Sequence, residues 1–148
     1  MPSAGDIWLE PCHYQDDDGI WHPKYLLILA FTRGGDIVYR VLTSRSNGRP
    51  KRPACYQGDP YASFYLGVLG GPLCKDSWVD LQYADDYDGR SFTKAQSAGA
   101  LKLVASLTPA ILCPVLACAI GAADTTKAQW IAMSNERQRL NCAANHPN

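Results

Sequence analysis

The residues best placed to do chemistry stand at the end of one hydrophobic run, where Thr43 and Ser44 set two hydroxyls beside Arg45. From Arg40 through Arg45, Arg49 and Lys51 to Arg52 there are five basic residues and no acid. Over the whole chain the charges balance, with fourteen basic and fourteen acidic side chains. Hydroxyls and arginines gathered at one rim of a sheet suit a phosphate group, because both donate hydrogen bonds to anionic oxygen. The same stretch also reads as a solvated basic loop that keeps a sheet edge from pairing with another molecule. With no net charge to attract nucleic acid, any such role has to rest on this local patch.

These groups need a frame, and the segment His22 to Ser44 supplies it. Lys24 to Thr32 and Asp36 to Thr43 are rich in β-branched and aromatic residues and are separated by Arg33-Gly34-Gly35, the signature of a β-hairpin. A length of 148 residues fits one domain with its own core. Ahead of the hairpin, Gly5 to Glu10 alternates as a short strand that Pro11 is expected to end. After it, the prolines and glycines between Ser44 and Tyr61 predict turns. Ala62 to Leu69 and Ser77 to Ala84 then read as two further strands.

The last third changes character. Leu103 to Ala123 carries no charge and is long enough to span a bilayer, but alanine, serine, threonine, proline and glycine dilute it and no basic cluster flanks it. Thr108-Pro109 predicts an N-cap and first turn of a helix that ends at Gly121, with Pro114 either kinking it or starting it. Thr126 and Gln129 make a capping box for a second helix to about Leu140, its apolar side formed by Trp130, Ile131 and Met133. The tail after Leu140 has little to hold it. Strands over residues 5–90 and helices over 106–141 predict a single α+β domain.

Other chemistries find less support. Asp16, Asp17 and Asp18 before Gly19 cannot all point at one ion and read as a solvated loop tip, and Asp85, Asp86 and Asp88 before Gly89 lack the spacing and the closing glutamate of a calcium loop. Cys12, Cys55, Cys74, Cys113, Cys118 and Cys142 form no CxxC pair and have no histidine at ligand spacing, which argues against zinc. The first residues carry neither a basic nor an apolar signal region, so the expectation is a cytoplasmic protein with reduced, mostly buried thiols.

Four short motifs in order, GDIW from Gly5, HPKYLLIL from His22, VLTSR from Val41 and SWVDL from Ser77, resemble the MazF/PemK family of toxin–antitoxin endoribonucleases. The resemblance covers Gly5 to Tyr87. It implies a small SH3-like β-barrel with appended helices, a homodimer, no metal or other cofactor, single-stranded RNA as substrate and an antitoxin protein as partner. In that family an arginine before the second strand and the threonine or serine of the TS element surround the scissile phosphate. Thr43 and Ser44 match the TS element.

The family's arginine falls at Pro23, or within one residue of it, and is missing. His22 and Lys24 flank the gap: histidine, with an ordinary pKa of about 6.5, suits proton transfer, and Lys24 or Arg45 suits the phosphate. Arg40, Arg45, Arg49, Lys51 and Arg52 are the expected RNA contacts. The missing arginine keeps a second class open, a barrel that binds nucleic acid or a protein without cutting. Trp8, Trp21, Tyr56, Tyr61, Tyr65 and Trp78 either stack bases or fill a core.

Overall fold

The computed structural model describes residues 2–145. In chain order the elements are β1 (Asp6–Gln15), β2 (Trp21–Phe31), β3 (Ile37–Thr43), β4 (Cys55–Tyr56), β5 (Ser63–Gly67), β6 (Ser77–Asp80), α1 (Gly89–Ser97), β7 (Lys102–Ser106), α2 (Pro109–Ile120), α3 (Lys127–Arg139) and α4 (Cys142–Asn145). The seven strands form one sheet in the order β4-β5-β6-β3-β2-β1-β7. Each neighbouring pair is antiparallel. The α+β class expected from the sequence is therefore found.

A closed barrel is not. The ladder has two ends, β4 and β7, and does not return on itself. α2 and α3 pack on one face of the sheet.

The central hairpin forms where the sequence places it. Gly35, at φ +89°, takes the left-handed conformation the turn requires, and its N–H bonds to the Thr32 carbonyl at 3.0 Å. Asp36 then donates its N–H to Thr32 Oγ1. β1 runs past Pro11, against expectation. The β1–β2 register shifts between Glu10 and Tyr14, so the missing proline N–H falls at an irregularity where no regular ladder bond is lost.

Helices cover both faces of the sheet, and β2 shows the consequence: all five residues from Leu26 to Ala30 are buried. Leu27 and Leu29 join Leu112, Leu116 and Met133 of α2 and α3. Leu26 and Ile28 face the other way, toward Trp8 and Phe92. The register shift between Ile28 and Ala30 puts two successive residues, Leu29 and Ala30, on the same side.

Two elements on that second face were not expected. α1 is capped by Asp88, whose carboxylate accepts the Ser91 N–H at 2.9 Å, and its Phe92 ring meets Trp8 and Tyr87 edge-on, each at 5.2 Å. β7 takes the start of the uncharged run as an edge strand on β1. The run is thus divided between a strand and α2, and no helix among the described residues is long and apolar enough to cross a membrane. α2 begins with Pro109 and continues through Pro114 to a cap at Gly121.

α3 carries the expected capping box but turns a different face inward. Gln129, Ala132, Met133 and Glu136 are buried, whereas Trp130 and Ile131 are exposed. Polar side chains can occupy that stripe because they are partnered: Gln129 by Arg40 and Glu136 by Arg139.

The expectation of reduced cysteines is overturned for four of them. Disulfides join Cys55 to Cys118 and Cys113 to Cys142, fastening α2 to β4 at one point and to α4 at another. Cys12 and Cys74 are exposed and unpaired. The expected loose tail begins instead as α4, anchored by the buried Cys142; His146 to Asn148 lie outside the described residues.

Candidate functional site

At the end of β3 the sheet register sets Leu42 between Tyr25 of β2 and Val79 of β6, and sets Thr43 opposite Trp78. The chain leaves the sheet there, and a cleft of about 290 Å³ opens. Pro23, Lys24 and Tyr25 form one wall and Leu42 to Arg45 another. Pro72 to Lys75, from the segment before β6, closes the third side together with Ser77. Thr43 Oγ1 accepts the Arg45 N–H at 3.2 Å, which fixes the direction in which the chain departs.

The cleft is cationic. Lys24, Arg45 and Lys75 line it beside the hydroxyls of Thr43 and Ser44, and none of its lining side chains is a carboxylate. Lys24 is half-buried and the Arg45 and Lys75 side chains are exposed. Such a set offers several donors and positive charge to one anionic group while leaving it reachable from solvent.

The expected site residues do not all meet here. Thr43, Ser44, Lys24 and Arg45 do. His22 is absent from the lining: its Nε2 lies 2.6 Å from Asp16 Oδ2, and its ring stacks on Tyr14 at 4.8 Å and 12°. The Asp16 carboxyl is held below its ordinary range, first by that hydrogen bond and then by the Ile20 N–H. Asp16 also accepts the Asp18 N–H, so this member of the acidic triplet organises the β1–β2 turn rather than sitting loose in solvent.

The basic run likewise divides. Arg40 cannot contact RNA, because it is only 1 % exposed. Its Nη1 donates to the Tyr39 carbonyl at 2.8 Å and its Nη2 to Gln129 Oε1 at 3.0 Å. Burial pushes its pKa down, and the charges of Asp86 and Asp124 oppose that shift. Strand parity carried the warning: Arg40 falls on the same face of β3 as Val38 and Leu42, both core residues.

Arg49 is also buried, with its Nη1 on the Arg45 carbonyl at 3.0 Å and its guanidinium 4.4 Å from the Tyr61 ring centre. It braces the loop from which Arg45 projects. Lys51 and Arg52 are exposed, and Lys51 pairs with Asp76 at 2.9 Å.

Lys75 is the charged lining residue that the sequence did not single out. It lies in the connection between β5 and β6, which the β3–β6 pairing brings against Thr43. Among the aromatics considered for stacking, Trp8 and Trp78 are buried in the core, and Trp21 is exposed at the far end of the β1–β2 hairpin. Comparison with known proteins finds no matching family model, no matching curated protein and no matching solved structure.

Proposed function

We propose that the chain is a divergent MazF/PemK-like endoribonuclease that holds single-stranded RNA across the cleft at the end of β3. The observation that carries this reading is the convergence of Lys24, the Thr43-Ser44-Arg45 segment and Lys75 on one carboxylate-free cleft. An SH3-like ancestry of the open sheet, a homodimer, an antitoxin partner and a cytoplasmic place of action belong to the same proposal.

The chemistry follows from the charges. A scissile phosphate seated against Lys24, Arg45 and Lys75 gains negative charge as the neighbouring 2′-oxygen attacks phosphorus, and fixed cations stabilise that state more than the ground state. Thr43 and Ser44 donate to the non-bridging oxygens. The P–O5′ bond breaks as the new P–O2′ bond forms, leaving a 2′,3′-cyclic phosphate and a 5′-hydroxyl. A lysine ammonium supplies the proton to the departing O5′, and the 2′-hydroxyl proton passes to water. The step calls for no metal.

The reading is tested with end-labelled RNA in EDTA. Cleavage should yield cyclic-phosphate ends and should stop at any nucleotide whose 2′-hydroxyl is replaced by hydrogen. Cleavage at the deoxy position would overturn the mechanism.

A second reading, a binding module that does not cut, draws on two features of the same region. Proline stands at the family's arginine position, and the His22 imidazole is engaged by Asp16 outside the cleft. That reading predicts no products, with RNA affinity that still falls as salt rises. Three phosphate contacts to a single strand give a slope of about −2 in log affinity against log salt concentration.

A further inference from the structure

Beside the cleft lies a second depression of about 570 Å³, which shares Ser44, Cys74 and Lys75 with it and adds Lys51, Val68 and Asp76. The two form one trough. Along the trough every charged side chain is a cation except Asp76. A carboxylate beside an RNA backbone repels the phosphates, so its presence there calls for a different ligand atom.

Asp76 is held firmly in place. Tyr65 donates its hydroxyl to Oδ1 at 2.6 Å, and Lys51 Nζ lies 2.9 Å from Oδ2. The Tyr65 and Lys51 hydrogen bonds keep the carboxyl below its ordinary pKa, so it is ionised at neutral pH. A carboxylate has room for about four hydrogen bonds, and these two partners take one position on each oxygen. One acceptor position per oxygen is left. Val68, which is 59 % exposed, gives the depression an apolar wall.

Resting on the RNA reading above, we propose that this depression is a base subsite in which Asp76 reads the Watson–Crick edge of a guanine next to the phosphate held in the cleft. Guanine is the base that presents two adjacent donors, N1–H and the N2 amine, to a pair of acceptors. Adenine and cytosine offer a single amine, and uracil a single N–H flanked by two carbonyl oxygens. Unstacked bases of single-stranded RNA expose this edge for recognition. Lys51 neutralises the carboxylate toward the neighbouring phosphates while leaving it free to accept.

The test is a binding measurement that does not depend on cutting. Short 2′-O-methyl oligouridylates, which cannot cyclise, carry one guanosine or, at the same place, one inosine, which lacks only the N2 amine. The intact protein should bind the guanosine strand about tenfold more tightly, the effect of one charge-assisted hydrogen bond. Asp76→Asn should reduce that ratio to less than about twofold. Lys51→Ala, which keeps the carboxylate but removes a cation, should weaken both strands. Equal affinity for guanosine and inosine in the unaltered protein, with RNA still bound, overturns the subsite and leaves the cleft reading standing. Failure to bind any strand overturns both, and a ratio that survives in Asp76→Asn counts against Asp76 as the reader.

Discussion

His22 is the residue whose part changes most between sequence and structure. Next to the vacant arginine position it is a natural candidate for proton transfer, yet its imidazole is bound by Asp16 and stacked on Tyr14 at the end of the β1–β2 hairpin. His22→Ala should therefore leave RNA cleavage within about twofold of the unaltered protein, and the pH–rate profile should show no inflection near the usual imidazole pKa of about 6.5. A large loss of rate with an inflection that vanishes in the variant would put His22 back in the reaction. Asp16 has its own pH signature. Its folded pKa is lowered, chiefly by His22, so its stabilising effect on the turn is present above the unfolded carboxyl pKa of about 3.9 and is lost as pH falls through the folded value. Amide exchange at Ile20 should accelerate in that acid range. Unchanged protection there would contradict the assignment. Thr43, Ser44, Lys24 and Arg45 were legible from local sequence because one hairpin carries them all. Lys75 was not, because it reaches the cleft only through a long-range strand pairing.

Among the elements, β3 links the cleft to the helical layer. One of its residues, Thr43, opens the cleft, and another, Arg40, points into the core and is held by Gln129 at the start of α3. Gln129 serves several partners at once, since its Oε1 also accepts the Thr126 N–H of the capping box and its Nε2 donates to the Ala84 carbonyl and to Asp86. Gln129→Ala should destabilise the fold by about 3 kcal/mol, because it leaves a buried guanidinium short of a partner and removes half of a cap. A melting temperature lowered by about 9 °C is the expected result, and a change under about 2 °C would show that water or Asp86 replaces the contact. The hairpin, α2 and α3 were legible because turn chemistry, N-caps and helical spacing agree there. α1 and β7 were missed for physical reasons: α1 buries a single aromatic, Phe92, and β7 is an edge strand at the front of a run whose composition suggests only burial.

On the scale of the whole molecule, α2 is the axis to which the rest is fastened. It is buried along most of its length and carries both disulfides, to Cys55 and to Cys142. The sequence separations of 63 and 29 residues place each bridge's stabilisation at about 4 kcal/mol if it acts by restricting the unfolded chain. Spacing alone could not reveal the pairing, since partners this far apart meet only when the sheet and helices are assembled. Disulfides persist in oxidising compartments, whereas the substrate proposed here is cytoplasmic, where glutathione would hold these cysteines as thiols. Reduction should lower the melting temperature by about 10 °C per bridge while the circular dichroism spectrum at 25 °C stays α+β. If reduction leaves the melting curve in place, the bridges carry none of the stability assigned to them.

The claim on which the account turns is that the cleft beside Thr43 is where RNA is held and cut. It is tested most directly by incubating labelled single-stranded RNA with the purified protein in EDTA, beside a Thr43→Ala variant of unchanged melting temperature. The account predicts cleavage by the unaltered protein and a rate at least about tenfold lower in the variant. Equal cleavage by both would place the chemistry elsewhere on the molecule, and no cleavage by either folded protein would leave the cleft as a binding surface that does not cut.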